Sequence, residues 1–495
     1  MIPSLPMCTP EELGIHSSVI EGLLDKLTEC ETEPHGLMVM RYGKLCFSGW
    51  WKPYVPQLQH GLQSLTKTFS GTAIGMLITE GKLSLDTKVI SLFPEKIPAD
   101  ASNNLLRITV RDVLCMGTGM ETAAPASEHW IEDFFRTPVP NTPGTAFFYN
   151  NPGSNLLAAI VKRISGKPMM QFLEEKLFPY IGVETGSIAC LTLPDGTEVG
   201  GGGMYARLED CMRLMLLYMN YGVAENKRIL SREWVEFATS CQNGAPNPAG
   251  IRDCQQGYGF QMWQCSYPGA YRADGALGQY VVCFPAQNLM IGILETASYP
   301  TGVQQVLDAI FSVVPLLEDR VLPNDPIAFG RLSARAKMLR LPVPFPERND
   351  NFAEPATGCY HLIDGKIPWM PEVVSFVTGK DFPGIRDLVL RKNEKWALTL
   401  NTSQGNFTLS FAADGSMSTV ELPGMFPYDL AYVQACICAP NTLVAAIRYI
   451  KTCYEVQLRL RTEGNLLHVE TSMNDMKKVH EYAVALRCNE GEIVG

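Results

Sequence analysis

Ser64 and Lys67 are the residues whose types and spacing best suit covalent chemistry. They lie in the run Gln63-Ser64-Leu65-Thr66-Lys67, which opens a helical pattern rich in small residues. Positions i and i+3 of a helix share one face, so the Lys67 amine can reach the Ser64 hydroxyl. A desolvated lysine with a lowered pKa can accept the serine proton, and a helix N-terminus favours a developing oxyanion. Serine and lysine at this spacing also occur by chance, so the pattern needs support elsewhere.

Support comes from Tyr149 and Asn151, which lie in a turn-rich segment just before a helical pattern over residues 155–164. Side chains in such a segment can project into a cleft. The same spacing recurs at Tyr218 and Asn220, but there it lies inside an amphipathic helix and indicates packing. Other hydrolase signatures are missing from the sequence: there is no G-x-S-x-G, no H-E-x-x-H and no Walker A run.

Together, Ser64, Lys67, Tyr149 and Asn151 make the chain resemble the serine β-lactamase and penicillin-binding-protein superfamily. The resemblance is to the class C-like branch, which includes family VIII carboxylesterases and D-aminopeptidases, and it covers residues 9–317. It implies an α+β fold in which an antiparallel sheet is flanked by helices and an all-helical part is inserted. It also implies a covalent acyl-enzyme on Ser64, with Lys67 and Tyr149 as the other catalytic residues and Asn151 binding the substrate.

The family's third motif is the one departure from the pattern, because the sequence contains no K-[ST]-G, H-x-G or W-x-G. By position its counterpart is Ala273-Asp274-Gly275. The resemblance therefore implies that Ala273 stands where a cation or ring would bind the substrate, while Gly275 lets the substrate approach the backbone. It also implies an oxyanion hole formed by the N–H groups of Ser64 and Ala276.

Arg272 precedes this motif, and strand alternation directs it away from the Ala273 face, so we expect it to be solvated. Because the third motif lacks its cation, β-lactams are less favoured as substrates. Esters are favoured over amides, because an ester leaving group needs less assistance from a cation or an acid.

Length and charge restrict the remaining possibilities. The 495 residues predict two to four folding units, and a net charge of −10 gives no support for nucleic-acid binding. Neither an export signal nor a membrane-spanning run is visible, and 15 scattered cysteines indicate reduced thiols, so we expect a cytoplasmic protein. Cys436 and Cys438 are interpreted as small residues on one face of a strand. The mechanism requires no metal or other cofactor.

The predicted secondary structure changes from mostly helical to mostly β near residue 320. The predicted helices, at 64–80, 155–164, 169–177, 208–221 and 303–317, precede this point. The proline-rich stretch after it predicts a linker, so the expected domains are 1–318, a linker at 319–350, and 351–495. The last domain contains β-rich runs at 373–378, 387–391, 396–400, 407–411, 418–422, 442–449, 454–461, 466–471 and 482–487. These runs predict an antiparallel β-barrel or sandwich, which resembles the lipocalin-like barrels of some relatives.

The sequence thus predicts a serine hydrolase that cleaves or transfers the acyl group of a small ester or amide. Two alternatives stay open: a D-aminopeptidase or β-lactamase-like amidase, and a penicillin-binding-like protein that binds without catalysis. The expected partner is a small acyl substrate, with no nucleic acid and no membrane span. In relatives the C-terminal barrel caps the active site or builds oligomers, which allows a homo-oligomer here.

Overall fold

The computed structural model describes residues 5–247, 250–342, 345, 352–364, 367, 369–371, 373–379, 384–403, 405–475 and 478–494. The chain folds into two compact units. The first comprises Met1–Arg340 and Val377–Gly379, and the second comprises Leu341–Phe376 and Lys380–Gly495. Each unit has its own sheet, so each is described by itself.

Helices dominate the first unit. They are α1 (Ser17–Glu29), α2 (Thr66–Thr79), α3 (Val89–Leu92), α4 (Val110–Leu114), α5 (Trp130–Arg136), α6 (Asn151–Ser165), α7 (Met169–Lys176), α8 (Phe178–Ile181), α9 (Leu208–Met219), α10 (Arg232–Ala238), α11 (Thr301–Phe311) and α12 (Pro326–Met338). The helices predicted at 64–80, 155–164, 169–177, 208–221 and 303–317 are confirmed as α2, α6, α7, α9 and α11. None of the helices in the described part of the chain combines the length and apolar character needed to cross a bilayer.

The strands of the first unit form one large sheet and two small ones. They are β1 (Thr32–Arg41), β2 (Lys44–Trp50), β3 (His60–Gly61), β4 (Ala189–Cys190), β5 (Met204–Ala206), β6 (Val223–Ala224), β7 (Lys227–Arg228), β8 (Trp263–Gln264), β9 (Tyr271–Gly275), β10 (Gln279–Phe284) and β11 (Leu289–Ala297). The large sheet is antiparallel in the order β2-β1-β11-β10-β9-β8, so its strands come from both ends of the unit. Most of the helices lie between them in the sequence. The predicted α+β arrangement is therefore confirmed.

Helix α2 is the centre of the first unit, because every residue from Thr66 to Leu77 is buried. A helix buried on all sides must satisfy its polar side chains internally. Ser70 donates to the Gly200 carbonyl at 2.8 Å, and Thr68 donates to the Gln261 carbonyl at 3.1 Å. These bonds tie α2 to loops far away in the sequence and fix its position.

The expected linker at 319–350 contains α12, which belongs to the first unit. Asp325 caps this helix by accepting a hydrogen bond from the Ala328 N–H, and Pro326 occupies its first turn. Proline is tolerated there because that N–H has no partner within the helix. Arg335 then binds Asp25 of α1, with 2.6 Å between the charged atoms. The proline-rich sequence therefore marks the start of a helix as well as a change of unit.

The second unit is a nearly closed antiparallel barrel. Its strands are β12 (Thr357–Leu362), β13 (Ile385–Lys392), β14 (Trp396–Thr402), β15 (Gly405–Phe411), β16 (Asp414–Glu421), β17 (Leu430–Ala439), β18 (Thr442–Tyr449), β19 (Tyr454–Glu463), β20 (Leu466–Asp475) and β21 (Lys478–Val494). Helix α13 (Val373–Thr378) begins in this unit, and its last two residues are assigned to the first unit. Ten strands follow the order β15-β14-β13-β12-β21-β20-β19-β18-β17-β16, and β15 lies beside β16. On β19, Val456, Leu458 and Leu460 are buried while the residues between them are partly or fully exposed. The predicted β-barrel is confirmed.

Two local predictions for this unit are wrong. Residues 373–378 form α13 although their β-branched composition favours a strand. Val374 and Thr378 are both buried and lie one helical turn apart, so the burial pattern overrides the local propensity. Cys436 and Cys438 share one face of β17 as expected, but they are joined by a disulfide.

Gly75 provides a test of how tightly α2 is packed. A Cβ atom there would lie 2.3 Å from the indole of Trp234, which is 2% exposed. We expect Gly75→Ala to lower the free energy of unfolding by roughly 2 kcal/mol, because a buried indole has little room to move. The matched control is Gly330→Ala in α12, where no atom lies within 4 Å and alanine should stabilise by about 0.5 kcal/mol. Thermal unfolding of both variants measures this difference, and equal effects would contradict it.

Candidate active site

Ser64 lies in a single 3-10 turn, Gln63–Leu65, immediately before α2. Strand β3 pairs with β5, and the Leu62 N–H donates to the Met204 carbonyl at 2.9 Å, which fixes the chain as it enters this turn. Gln63 has φ 50°, a left-handed conformation that costs a non-glycine residue on the order of 1 kcal/mol. The half-buried Ser64 is thus presented from a rigid, locally strained turn.

Lys67 contacts three oxygen atoms. Its Nζ lies 2.9 Å from Ser64 Oγ, 2.7 Å from Asn151 Oδ1 and 2.5 Å from the Gly201 carbonyl. The two carbonyl oxygens can only accept hydrogen bonds, so they take two N–H groups of the amine. When the amine is neutral, its lone pair is left for the Ser64 hydroxyl.

The protonation of Lys67 fits this geometry. The side chain is 1% exposed, and burial lowers the pKa of its amine from 10.5 to about 7, with the carboxylate of Asp274 opposing the shift. A charged amine is poorly solvated in the interior, which favours the neutral form. At and above neutral pH, Lys67 is therefore able to accept a proton from Ser64.

Asn151 is positioned by the start of α6. The side chain of Asn150 caps this helix by accepting from the Gly153 N–H at 3.0 Å, so Asn151 begins the first turn. Asn155, one turn later, accepts from the Gly201 N–H at 2.9 Å. The same helix therefore supplies one acceptor of Lys67 directly and holds the backbone that supplies another.

Tyr149 lies against both Ser64 and a cluster of aromatic side chains. It has a side-chain hydrogen bond with Ser64, and its ring centroid is 4.7 Å from Lys67 Nζ. Trp263 stacks on it with 5.6 Å between centroids, and Tyr258 meets it edge-on. Burial and the nearby Asp274 carboxylate raise the pKa of Tyr149 well above its ordinary value, although the Ser64 hydrogen bond opposes this. The phenol is therefore a neutral hydrogen-bond donor.

Ala273 and Gly275, which the sequence predicts to bind the substrate, are packed inside the first unit. Ala273 is completely buried on β9 and belongs to the main apolar core. A Cβ atom at Gly275 would lie 2.2 Å from the Leu62 carbonyl, so this glycine allows β9 to pack against the chain entering the Ser64 turn. Both residues serve the packing of β9, because alternation directs them away from the face that carries Asp274.

Arg272 and Asp274 occupy the opposite face of β9. The prediction that Arg272 is solvated is wrong: it is 1% exposed and its Nε lies 2.7 Å from Asp274 Oδ2. Its guanidinium also donates to the Gln264 carbonyl at 2.9 Å and lies 5.7 Å from the Trp263 ring. Buried arginines need such partners. Here they join β9 to the aromatic wall, which consists of Trp263 and Tyr258 beside Tyr149.

Ala276 begins the turn between β9 and β10, in which Leu277 and Gly278 adopt φ of 63° and 91°. Gln279 is fully buried and holds this turn, since its amide donates to the carbonyls of Ala276 at 3.1 Å and Glu295 at 2.7 Å. The turn follows directly on the strand that packs against the Ser64 segment. Gln279 therefore fixes the backbone at Ala276, and no sequence pattern singles Gln279 out.

The structure brings Ser64, Lys67, Tyr149 and Asn151 together. Sequence reasoning missed Gly201, Trp263 and Asp274. Neither the run Gly201-Gly202-Gly203 nor the aromatic run that ends in Trp263 has a spacing that marks it as part of a site. Strand alternation was the available signal for Asp274, because it separates this residue from Ala273.

The chain is similar to proteins of known sequence and structure. A family model described as beta-lactamase matches residues 35–314, which is more than half of the chain. The 6-aminohexanoate-dimer hydrolase of Paenarthrobacter ureafaciens is 24% identical over 322 residues, covering 60% of this chain and 80% of the relative.

Two solved structures are also similar. A protein from Bacteroides dorei DSM 17855 that is named as a beta-lactamase aligns with a TM-score of 0.52 at 16% identity, covering 60% of this chain and 98% of that one. The octameric penicillin-binding protein homologue from Pyrococcus abyssi aligns with a TM-score of 0.48 at 15% identity, covering 95% and 99%. The first of these shows the fold of the N-terminal unit.

The burial of Lys67 predicts a linkage between stability and pH. Its pKa is about 7 in the folded protein against 10.5 ordinarily, so the unfolded chain binds more protons between these values and stability rises with pH across that window. We expect the free energy of unfolding of Lys67→Met to exceed that of the wild type by on the order of 5 kcal/mol below pH 7, with a difference that shrinks as pH rises toward 10.5.

Thermal unfolding across this pH range measures the difference. Lys82→Met is the control, because Lys82 has a 52% exposed side chain and should show no such pH dependence. A Lys67→Met variant that is less stable than the wild type at every pH would contradict the assignment of a neutral buried amine.

Proposed function

Since the chain belongs to the beta-lactamase family, we propose that it is a serine hydrolase that forms a covalent acyl-enzyme on Ser64 with a small ester or amide substrate. The observation that carries this proposal is the 2.9 Å contact between Lys67 Nζ and Ser64 Oγ, with both carbonyl partners of Lys67 on its other sides. A serine is a weak nucleophile until a base takes its proton. The neutral Lys67 amine is placed to be that base.

In the acylation step, Ser64 Oγ attacks the substrate carbonyl carbon while its proton passes to the neutral Lys67 amine. The carbonyl π pair moves onto the oxygen, which then carries a negative charge. The N–H groups of Ser64 and Ala276 stabilise that charge. The start of α2, directly after Ser64, adds the partial positive charge of a helix N-terminus.

Collapse of the tetrahedral intermediate breaks the bond to the leaving group, which needs a proton. Tyr149 is the donor in this proposal, because its phenol is neutral and hydrogen-bonded to Ser64. The ammonium of Lys67, which lies against the Tyr149 ring, then returns a proton to the Tyr149 phenolate, so that both groups regain their starting forms. Water then attacks the acyl-enzyme and its proton passes to Lys67. Lys67 gives that proton to Ser64 Oγ as the bond between Oγ and the acyl carbon breaks, and the product acid is released. Another alcohol or amine in place of water would give acyl transfer.

The preference for esters over amides rests on the absence of a third-motif cation at Ala273. Tyr149 provides an argument for amides as well. A neutral Tyr149 next to Ser64 can protonate an amine leaving group, so amides belong to the proposed substrate range. The related 6-aminohexanoate-dimer hydrolase acts on an amide by its name, which supports their inclusion.

The acyl-enzyme is tested by intact-protein mass spectrometry after mixing the full chain with p-nitrophenyl acetate and butyrate. We expect an adduct of one acyl group on the wild type and none on Ser64→Ala, because only Ser64 adjoins the Lys67 base. Ser91→Ala is the matched control, since Ser91 is exposed and bonded only to the Lys88 carbonyl. An equal adduct on Ser64→Ala would overturn the nucleophile, and no adduct or turnover on any ester or anilide would favour a binding protein without catalysis.

The pH dependence of acylation tests the role of Lys67. Its pKa of about 7 predicts that the burst rate of p-nitrophenol release rises about tenfold per pH unit below that value and levels off above it. The rise has this sign because the reactive form of the amine is the deprotonated one. A stopped-flow series between about pH 5 and pH 9 measures it. A rate that stays constant across this range would exclude Lys67 as the base.

A further inference from the structure

Asp274 is the acidic side chain on the face of β9 opposite to Ala273. Burial raises the pKa of its carboxyl, while the positive charges of Arg272 and Lys67 oppose that rise. Alternation places it on the same face as Arg272, and the exposed fraction of its side chain is 16% against 1% for Arg272. The carboxylate therefore reaches solvent, whereas the guanidinium that pairs with it lies inside the protein. The pair presents its negative end outward.

The location of this carboxylate follows from a chain of contacts that leads to Ser64. Arg272 lies 5.7 Å from the Trp263 ring, Trp263 stacks on Tyr149, and Tyr149 is hydrogen-bonded to Ser64. Gly275, the residue after Asp274, packs directly against the Leu62 carbonyl at the entry to the Ser64 turn. Asp274 is thus placed between the aromatic wall and the turn that carries Ala276.

The other charged groups near Asp274 do not cancel its effect on a ligand in the cleft. Arg272 is turned inward and binds the carbonyls of Asp253 and Gln264 as well as Asp274. Asp253 is fully buried and held by Ser266 and Gln304. The charged amine of Lys67 lowers the pKa of Asp274, but burial lowers the pKa of that amine to about 7, so the neutral form predominates above this pH. A ligand above Ser64 therefore meets an anion at this strand.

From this arrangement we infer that the site selects substrates with a protonated amine close to the reacting carbonyl, which Asp274 binds, and discriminates against substrates with a carboxylate there. The inference rests on the proposed function and names its substrate class. An ammonium donates to the exposed carboxylate oxygen while Arg272 holds the other oxygen, so both are satisfied. A carboxylate at the same place would meet like charge, which is costly in a partly desolvated cleft.

The test uses phenylboronic acids with a meta-aminomethyl, meta-ethyl or meta-carboxyl group. Each probes the site without a leaving group: the Ser64 Oγ–boron bond forms, the hydroxyl proton passes to Lys67, and no bond breaks at boron. Affinity for the full-length protein is measured by titration calorimetry. We expect the aminomethyl compound to bind about tenfold more tightly than the ethyl compound, and the carboxyl compound about tenfold more weakly. Both differences should fall as ionic strength rises.

Variants separate recognition by Asp274 from its structural role. We expect Asp274→Asn to bind the aminomethyl and ethyl compounds equally, and Asp274→Glu to keep most of the preference. The matched control is Asp319→Asn, which also deprives a fully buried arginine, Arg41 of β1, of its carboxylate partner. It should keep the full preference. If Asp274→Asn fails to fold, the wild-type ranking and its salt dependence decide.

The possible outcomes distinguish the two proposals. Equal affinity of the wild type for the aminomethyl, ethyl and carboxyl compounds overturns the selection of amines while leaving Ser64 as the nucleophile. A preference that survives in Asp274→Asn also overturns it. Failure of all three compounds to bind Ser64, together with no ester adduct, overturns the proposed function and this inference with it.

Discussion

The burial of one amine organises the site. Lys67 Nζ lies among Ser64 Oγ, Asn151 Oδ1 and the Gly201 carbonyl, and its environment keeps its pKa near 7. An isolated lysine in an apolar interior would be costly, so these oxygens have to be held in place. Each comes from a different part of the chain: the Ser64 turn, the start of α6 and the glycine run before β5. The fold of the first unit can be understood as the means of bringing these three segments to α2.

Helix α2 achieves this by being buried on all sides. Its serine and threonine side chains bond to loop carbonyls, and Gly75 lets the Trp234 indole lie directly against the helix. Gly275 has the same effect on β9: because this residue has no side chain, the strand can approach the Leu62 carbonyl. Close packing against the backbone of α2 and of β9 thus fixes the Ser64 turn between a helix and a sheet, and leaves its hydroxyl in a rigid position.

The alternation of β9 decides the electrostatic character of the site. Counting from the family's third motif suggested Ala273 as the site-facing residue, but that side chain is part of the apolar core. Asp274 takes the outer face instead, supported by a buried Arg272 that binds it at 2.7 Å. Neighbouring residues of a strand point to opposite faces of the sheet. Replacing Ala273 by Asp274 as the residue beside the substrate therefore changes this side of the site from apolar to anionic. The substrate class proposed for the site changes with it.

The sequence alone determined what depends on local spacing. The Ser64 and Lys67 side chains share a helix face because they are three residues apart, and Asn151 begins α6 because Asn150 caps it. The strands of the barrel followed from their alternation, although residues 373–378 did not, because their burial is set by contacts beyond the segment. Only the tertiary structure decided the Gly201 acceptor, the Trp263 stack on Tyr149, the helix α12 in the expected linker, and Asp274 in place of Ala273. These depend on atoms that are distant in the chain, and no local spacing encodes which of them meet.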